Sequence, residues 1–185
     1  KTGLGIMDCK KALAEVDGDV EKAIDYLRKK GAMKAASRSE RETAEGIIGH
    51  YVHSNGRIGV LVELRCETDF AAKSGIFGEL ARNIALHIAG SPTPPLGIRK
   101  EDLPPELVMK EREIFMAEVV NKPESVKEKI LEGKLSKFYA DNVLLEQPYV
   151  RDETGKQTVD ALIKEVIDKM RENITVVRFV RFAMT

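Results

Sequence analysis

Residues 63–70, Glu63-Leu64-Arg65-Cys66-Glu67-Thr68-Asp69-Phe70, gather a thiol, carboxylates, a hydroxyl and an aromatic ring in one short stretch. Three kinds of chemistry are open to such a set. A thiolate nucleophile at Cys66, helped by Asp69 and a histidine, needs a base within hydrogen-bond reach. No histidine is locally placed to serve Cys66, and a buried, small apolar cysteine is the plainer reading. Metal binding finds no support either. His50 and His53 differ in parity along a strand and face opposite sides, and with His87 they make no ligand spacing. That leaves binding. Thr68 and Asp69 are good helix-start residues, and Asp69 can bond the free N–H groups of a first turn. Phe70 lies before the next apolar stripe, Phe77, Leu80, Ala81, Ile84 and Ile88, and from spacing alone two placements are open to it. Either it points outward, as an aromatic anchor offered to a partner, or it folds back as a plug over a sheet.

The surrounding elements determine which groups can meet. Arg57 to Leu64 is rich in β-branched residues and reads as a strand leading into Thr68. Gly46 to His53 reads as its hairpin partner, because Ser54-Asn55-Gly56 between them accepts positive φ. Ser74 caps a helix on the far side of the corner. The chain then breaks at Ser91 to Gly97, and helices are expected at 106–121, 124–131, 135–145 and 158–172. Leu145 to Val150 reads as extended, with Pro148 keeping it out of a central strand. Ile174 to Phe182 closes as a third strand. The expected class is therefore α+β, with antiparallel strands 46–53, 57–65 and 174–182 and helices covering one face.

Ahead of this core, Ile6, Cys9, Ala12, Leu13 and Val16 have helical spacing. Asp19 caps a second helix carrying Val20, Ala23, Ile24 and Leu27, and Gly31 stands where a left-handed C-cap would end it. A third helix beginning near Ala32 would complete a small helical unit. Met7 falls off the apolar stripe, so Met7 and Leu4 suit a docking surface. Residues 33–45 are polar and Ala-rich, a partly helical linker. The expected organisation is a helical domain at 1–33, a linker at 34–45 and an α+β core domain at 46–185.

Composition narrows the function classes. In 185 residues, Lys plus Arg equal Asp plus Glu at 30 each, so no global field draws nucleic acid. A basic stripe with interleaved aromatics is also missing. No run of about 18 apolar residues exists to span a membrane. No signal peptide opens the chain, and two distant cysteines favour a reducing compartment, so a cytoplasmic location is expected. Gly3 and Gly5 permit a tight backbone approach but form no phosphate cradle, and no Gly-x-x-x-x-Gly-Lys-Ser/Thr occurs.

Glu63 to Ala71 resembles the second signature of the elongation factor Ts family, with Ala71 where Val is usual and Arg65 where a smaller or amide residue is common. Thr2-Gly3-Leu4-Gly5-Ile6-Met7-Asp8-Cys9-Lys10-Lys11-Ala12-Leu13 resembles the first signature, which the family places in a domain like a ubiquitin-associated domain. The resemblance runs over nearly the whole chain. It implies a guanine nucleotide exchange factor for elongation factor Tu, not an enzyme, with no cofactor and no metal of its own. Thr68, Asp69, Phe70 and Ala71 would form the exchange corner, and Leu4, Ile6 and Met7 would dock the N-terminal domain on the same partner. Longer members carry two sheet-and-helix subdomains and this chain shows one, so a homodimer is expected, with the strand at 174–182 as its candidate edge.

Overall fold

The computed structural model describes residues 6–120 and 123–184, with the side chains of residues 124 and 125 left aside. The elements run α1 (Ile6–Glu15), α2 (Val20–Ala36), β1 (Glu45–Val52), β2 (Ile58–Cys66), α3 (Asp69–Ala72), α4 (Gly75–Gly90), α5 (Pro105–Glu118), α6 (Glu124–Asn142), α7 (Val159–Met170) and β3 (Ile174–Ala183). The expected α+β class holds.

The sheet has the order β1-β2-β3, antiparallel throughout, with β2 in the middle. Its two faces follow the period-2 rule. Val60, Val62, Leu64 and Cys66 of β2 are buried, while Leu61 and Arg65 between them are exposed and Glu63 is half-buried. Helices α4 and α7 supply the opposing layer. Phe77, Leu80, Ala81, Ile84 and Ile88 of α4 and Val159, Ile163, Val166 and Ile167 of α7 share one core with the inner face of the sheet. Ser74 caps α4 as expected, its hydroxyl accepting from the Phe77 amide at 3.2 Å. The approach of β1 to α4 depends on a glycine: a Cβ on Gly49 would come within 2.7 Å of the Ala81 Cβ.

Several local expectations are corrected. The helix expected to stop at Gly31 continues to Ala36, and no third helix starts near Ala32. Gly31 faces α7 instead, where a Cβ would sit 3.4 Å from an Asp168 carboxylate oxygen. The buried positions of α2 are Ala23, Leu27, Gly31 and Ala35, a stripe with four-residue spacing. Ala23 and Leu27 pack with Ala12 of α1, whereas Ala35 belongs to the main core. One helix thus crosses both clusters, and the boundary expected after residue 33 falls inside it. The two short helices expected at 124–131 and 135–145 form one continuous helix, α6, running through Gly133. The segment expected to be extended from Leu145 begins as a short 3₁₀ turn, Leu144–Glu146, before Pro148 bridges Thr158.

A buried histidine joins α4 to that segment. His87 accepts from the Val150 amide through Nδ1 at 3.1 Å, so Nε2 carries the proton and donates to Gln147 Oε1 at 2.9 Å. Burial pushes the imidazole below its ordinary range. A second proton would set a donor against the Val150 N–H. The unfolded chain is therefore protonated first, and stability falls as pH drops below about 6.5 until the lowered native value is reached. The expected slope from this residue is at most about 1.4 kcal/mol per pH unit. Urea unfolding at pH 7 and pH 5 checks this: the wild-type chain loses more stability on acidification than His87→Gln, and equal losses contradict the assignment.

Candidate functional site

The corner after β2 is built from the residues the sequence singles out. Thr68 is extended, at φ −124° and ψ 152°, and its hydroxyl accepts from the Ala71 amide at 3.2 Å. It is the N-cap of α3. Asp69, expected to bond the first-turn amides, is not the cap; its carboxylate takes the Lys73 ammonium at 2.8 Å on the surface. The reason is position, since the cap residue precedes the helix and Asp69 is already inside it. The hydrogen bond from Lys73 holds the Asp69 carboxyl below the usual carboxylate range.

A helix of four residues has one inner and one outer side. Ala71 and Ala72 take the inner side and are buried in the main core. Phe70 is thereby turned outward and is 84% exposed, so the plug placement is not adopted. The structure brings Thr68, Asp69, Phe70 and Ala71 into a single turn between two capped helix starts.

Cys66 lies at the end of β2, fully buried, with its thiol donating to the Thr68 carbonyl at 3.3 Å. Burial, with the Glu172 carboxylate a smaller contributor, pushes this thiol up. A protonated, enclosed thiol is no nucleophile at neutral pH. Among the described residues, no three of His, Cys, Asp and Glu are grouped to hold a metal ion. No helix of the described residues is long and apolar enough to cross a membrane. Arg65, on the outer face of the sheet, joins Arg178 in binding the Glu63 carboxylate, at 2.7 Å each.

Of the N-terminal candidates, Ile6 and Met7 stand on α1 and are 86% and 65% exposed. Leu4 lies outside the described residues. Helix α1 presents Cys9 and Leu13 to the small cluster around Ala12, and Asp8 lies 3.9 Å from the Arg171 guanidinium at the end of α7.

Sequence reasoning missed the groups behind the corner. The Glu172 carboxylate accepts from the amides of Glu67 (3.0 Å) and Thr68 (3.1 Å) and from the Thr68 hydroxyl (2.9 Å). In return the Glu67 carboxylate accepts from the Asn173 amide at 2.6 Å. The Asn173 side chain donates to the Arg41 carbonyl at 2.7 Å, and the Arg41 guanidinium lies 3.5 Å from Glu67. In the sequence, Arg171 and Glu172 read as the end of the helix expected at 158–172 and Asn173 as the link to the strand, whereas the helix stops at Met170. The partners of Glu172 and Asn173 lie more than a hundred positions away, so no local signal marks them.

The Elongation factor TS family model matches residues 8–185. Elongation factor Ts of Thermotoga maritima is 54% identical over 181 residues, spanning 98% of this chain and 89% of the relative. That of Thermosipho melanesiensis is 52% identical over 186 residues, with 100% and 93% covered. That of Desulfosudis oleivorans is 48% identical over 186 residues, with 100% and 92% covered. Identity at this level over nearly the full length, together with the family match, shows that the chain belongs to the elongation factor Ts family.

Proposed function

We propose that the chain is a guanine nucleotide exchange factor for elongation factor Tu, acting in the cytoplasm during translation elongation. The observation that carries this reading is Phe70: a large apolar ring, almost wholly exposed, on a turn held by the Thr68 cap and seated by Ala71 and Ala72. An aromatic side chain left in water contributes little to the fold and offers a rigid anchor to a partner. In the proposed complex the ring wedges between helices of the GTPase nucleotide domain, beside its Mg²⁺ site. The phosphate-binding backbone shifts and the metal's hold on GDP weakens. Nothing in this requires the chain to bind nucleotide. It must bind the nucleotide-free GTPase better than the GDP form, and by linkage GDP weakens the factor by the same ratio.

Asp69 serves this corner through its pair with Lys73, one turn away on the exposed side of α3. Ile6 and Met7 on α1 form the second contact, with Leu4 beside them in sequence, and a tethered second contact raises affinity by effective concentration. Two copies of the chain would supply two such surfaces. The homodimer finds support in the open face of the sheet, where Ile48, Val52, Leu61, Val180 and Phe182 are exposed, and in β1 and β3, which are both edges.

Stopped-flow release of a fluorescent GDP from elongation factor Tu tests the exchange reading. Phe70→Ala is expected to lower the release rate by about tenfold or more while changing stability by no more than about 0.5 kcal/mol. If instead the variant unfolds like a core truncation, at a cost of about 3–5 kcal/mol, the wedge is wrong. Replacing Ile6 and Met7 together by Ala is expected to weaken binding with the melting temperature unchanged, and full-strength binding would remove α1 from the interface. Light scattering at micromolar concentration is expected to give twice the 20.6 kDa chain mass. A monomer mass at every concentration, with exchange intact, would dispose of the dimer.

A further inference from the structure

We infer that Glu172 is a positioning residue for nucleotide exchange, acting on the partner only through the corner that carries Phe70. The inference rests on the exchange reading above. Glu172 follows Arg171, the C-cap of α7, which takes a left-handed conformation at φ 62°. That conformation disfavours a non-glycine residue, and it turns the chain from α7 toward β3. The Arg171 guanidinium lies 3.6 Å from Asp168 in its own helix and 3.9 Å from Asp8 of α1. The next two residues then meet the end of β2 from the side.

The contacts there are reciprocal. The Glu172 carboxylate holds the backbone of Glu67 and Thr68, and the Glu67 carboxylate holds the backbone of Asn173. Two charge-assisted brackets running in opposite directions fix both the separation and the rotation of the two segments. The third contact acts on the cap itself. A threonine hydroxyl has one proton and two acceptor positions. Donating that proton to Glu172 at 2.9 Å leaves the Thr68 oxygen with its lone pairs free to accept the Ala71 amide. Glu172 therefore sets the hydroxyl rotor that starts α3, and α3 sets the direction of Phe70. Asn173 extends the brace to the segment entering β1 through the Arg41 carbonyl.

The test uses the full chain with elongation factor Tu and a fluorescent GDP. Glu172→Ala is expected to lower the maximal release rate about tenfold, with a smaller change in the concentration giving half-maximal rate. Glu172→Gln keeps an acceptor for the two amides but turns an N–H donor toward the Thr68 hydroxyl, and its rate is expected to fall between those of the wild type and Glu172→Ala. Because Glu172 acts through Phe70, the Phe70→Ala, Glu172→Ala double variant is expected to be no slower than Phe70→Ala alone. Folded Glu172→Ala with the wild-type maximal rate overturns the role, as do additive losses in the double variant. Hydrogen exchange on the unmutated chain gives a reading that does not depend on any variant folding. The Glu67 and Thr68 amides are expected to exchange more slowly than the Asn55 amide in the exposed hairpin, and equal rates overturn the brace. A wild-type chain that does not speed GDP release overturns the exchange reading and the positioning role with it. In that case, slow exchange at Glu67 and Thr68 would still report the brace.

Discussion

A single turn of helix is not stable in water, because fixing its residues costs more conformational entropy than its first hydrogen bond returns. Helix α3 is four residues long, so it exists only because its surroundings hold it. Two alanines fasten it to the core from below, and Thr68 satisfies one of its free amides at the front. A cap of this kind is worth about 1 kcal/mol, too little to act alone. The Glu172 carboxylate completes the support by holding the cap residue's amide and hydroxyl together. Everything distinctive about the corner follows from this constraint. With the inner side of the turn committed to alanine, the outer side must carry Phe70, and it must carry it in one direction.

The same economy links the corner to the rest of the fold. Helix α2 spans the small cluster around Ala12 and the main core at Ala35. Its close approach to α7 uses Gly31 against Asp168, whose carboxylate also lies 3.7 Å from Lys34. The turn after α7 then touches α1 through Arg171, the corner through Glu172 and the entry to β1 through Asn173. Three successive residues thereby tie the surface of α1 that bears Ile6 and Met7 to the surface that bears Phe70. In the proposed complex both surfaces meet one GTPase, and a fixed geometry between them lowers the entropy lost on binding.

How much of this the sequence reveals depends on the range of the forces involved. The strands and the buried stripes of α4 and α7 are legible because alternation and 3.6-residue periodicity record burial directly. Ser74 is legible because capping is local. Gly31 misleads, since a glycine near a helix end suggests a C-cap, while its reason here is a carboxylate on another helix. The continuing stripe Ala23, Leu27, Gly31 and Ala35 was the available signal that α2 goes on. Gly133 misleads in the same way. It lies inside α6, which packs on α5 with a Lys134–Glu118 ion pair, and packing outweighs a local propensity cost of about 1 kcal/mol. At the corner, the residue types are readable but their division of labour is not. Thr68 and Asp69 are both competent caps, and only the backbone geometry at the end of β2 assigns the task to Thr68. Glu172 and Asn173 carry no sequence mark at all, because their role exists only across the chain.

In the proposed complex the ring at position 70 is held outward and enters the GTPase next to its nucleotide site. Site-specific photocrosslinking measures this directly. A benzophenone-bearing phenylalanine analogue is placed at position 70, the chain is mixed with nucleotide-free elongation factor Tu, and the crosslinked peptide is identified after irradiation. The expected result is a crosslink to the nucleotide domain beside the Mg²⁺ site, suppressed by excess GDP and Mg²⁺ in line with the reciprocal weakening of the two ligands. A crosslink confined to the chain's own sheet, or one unaffected by GDP and Mg²⁺, would contradict it.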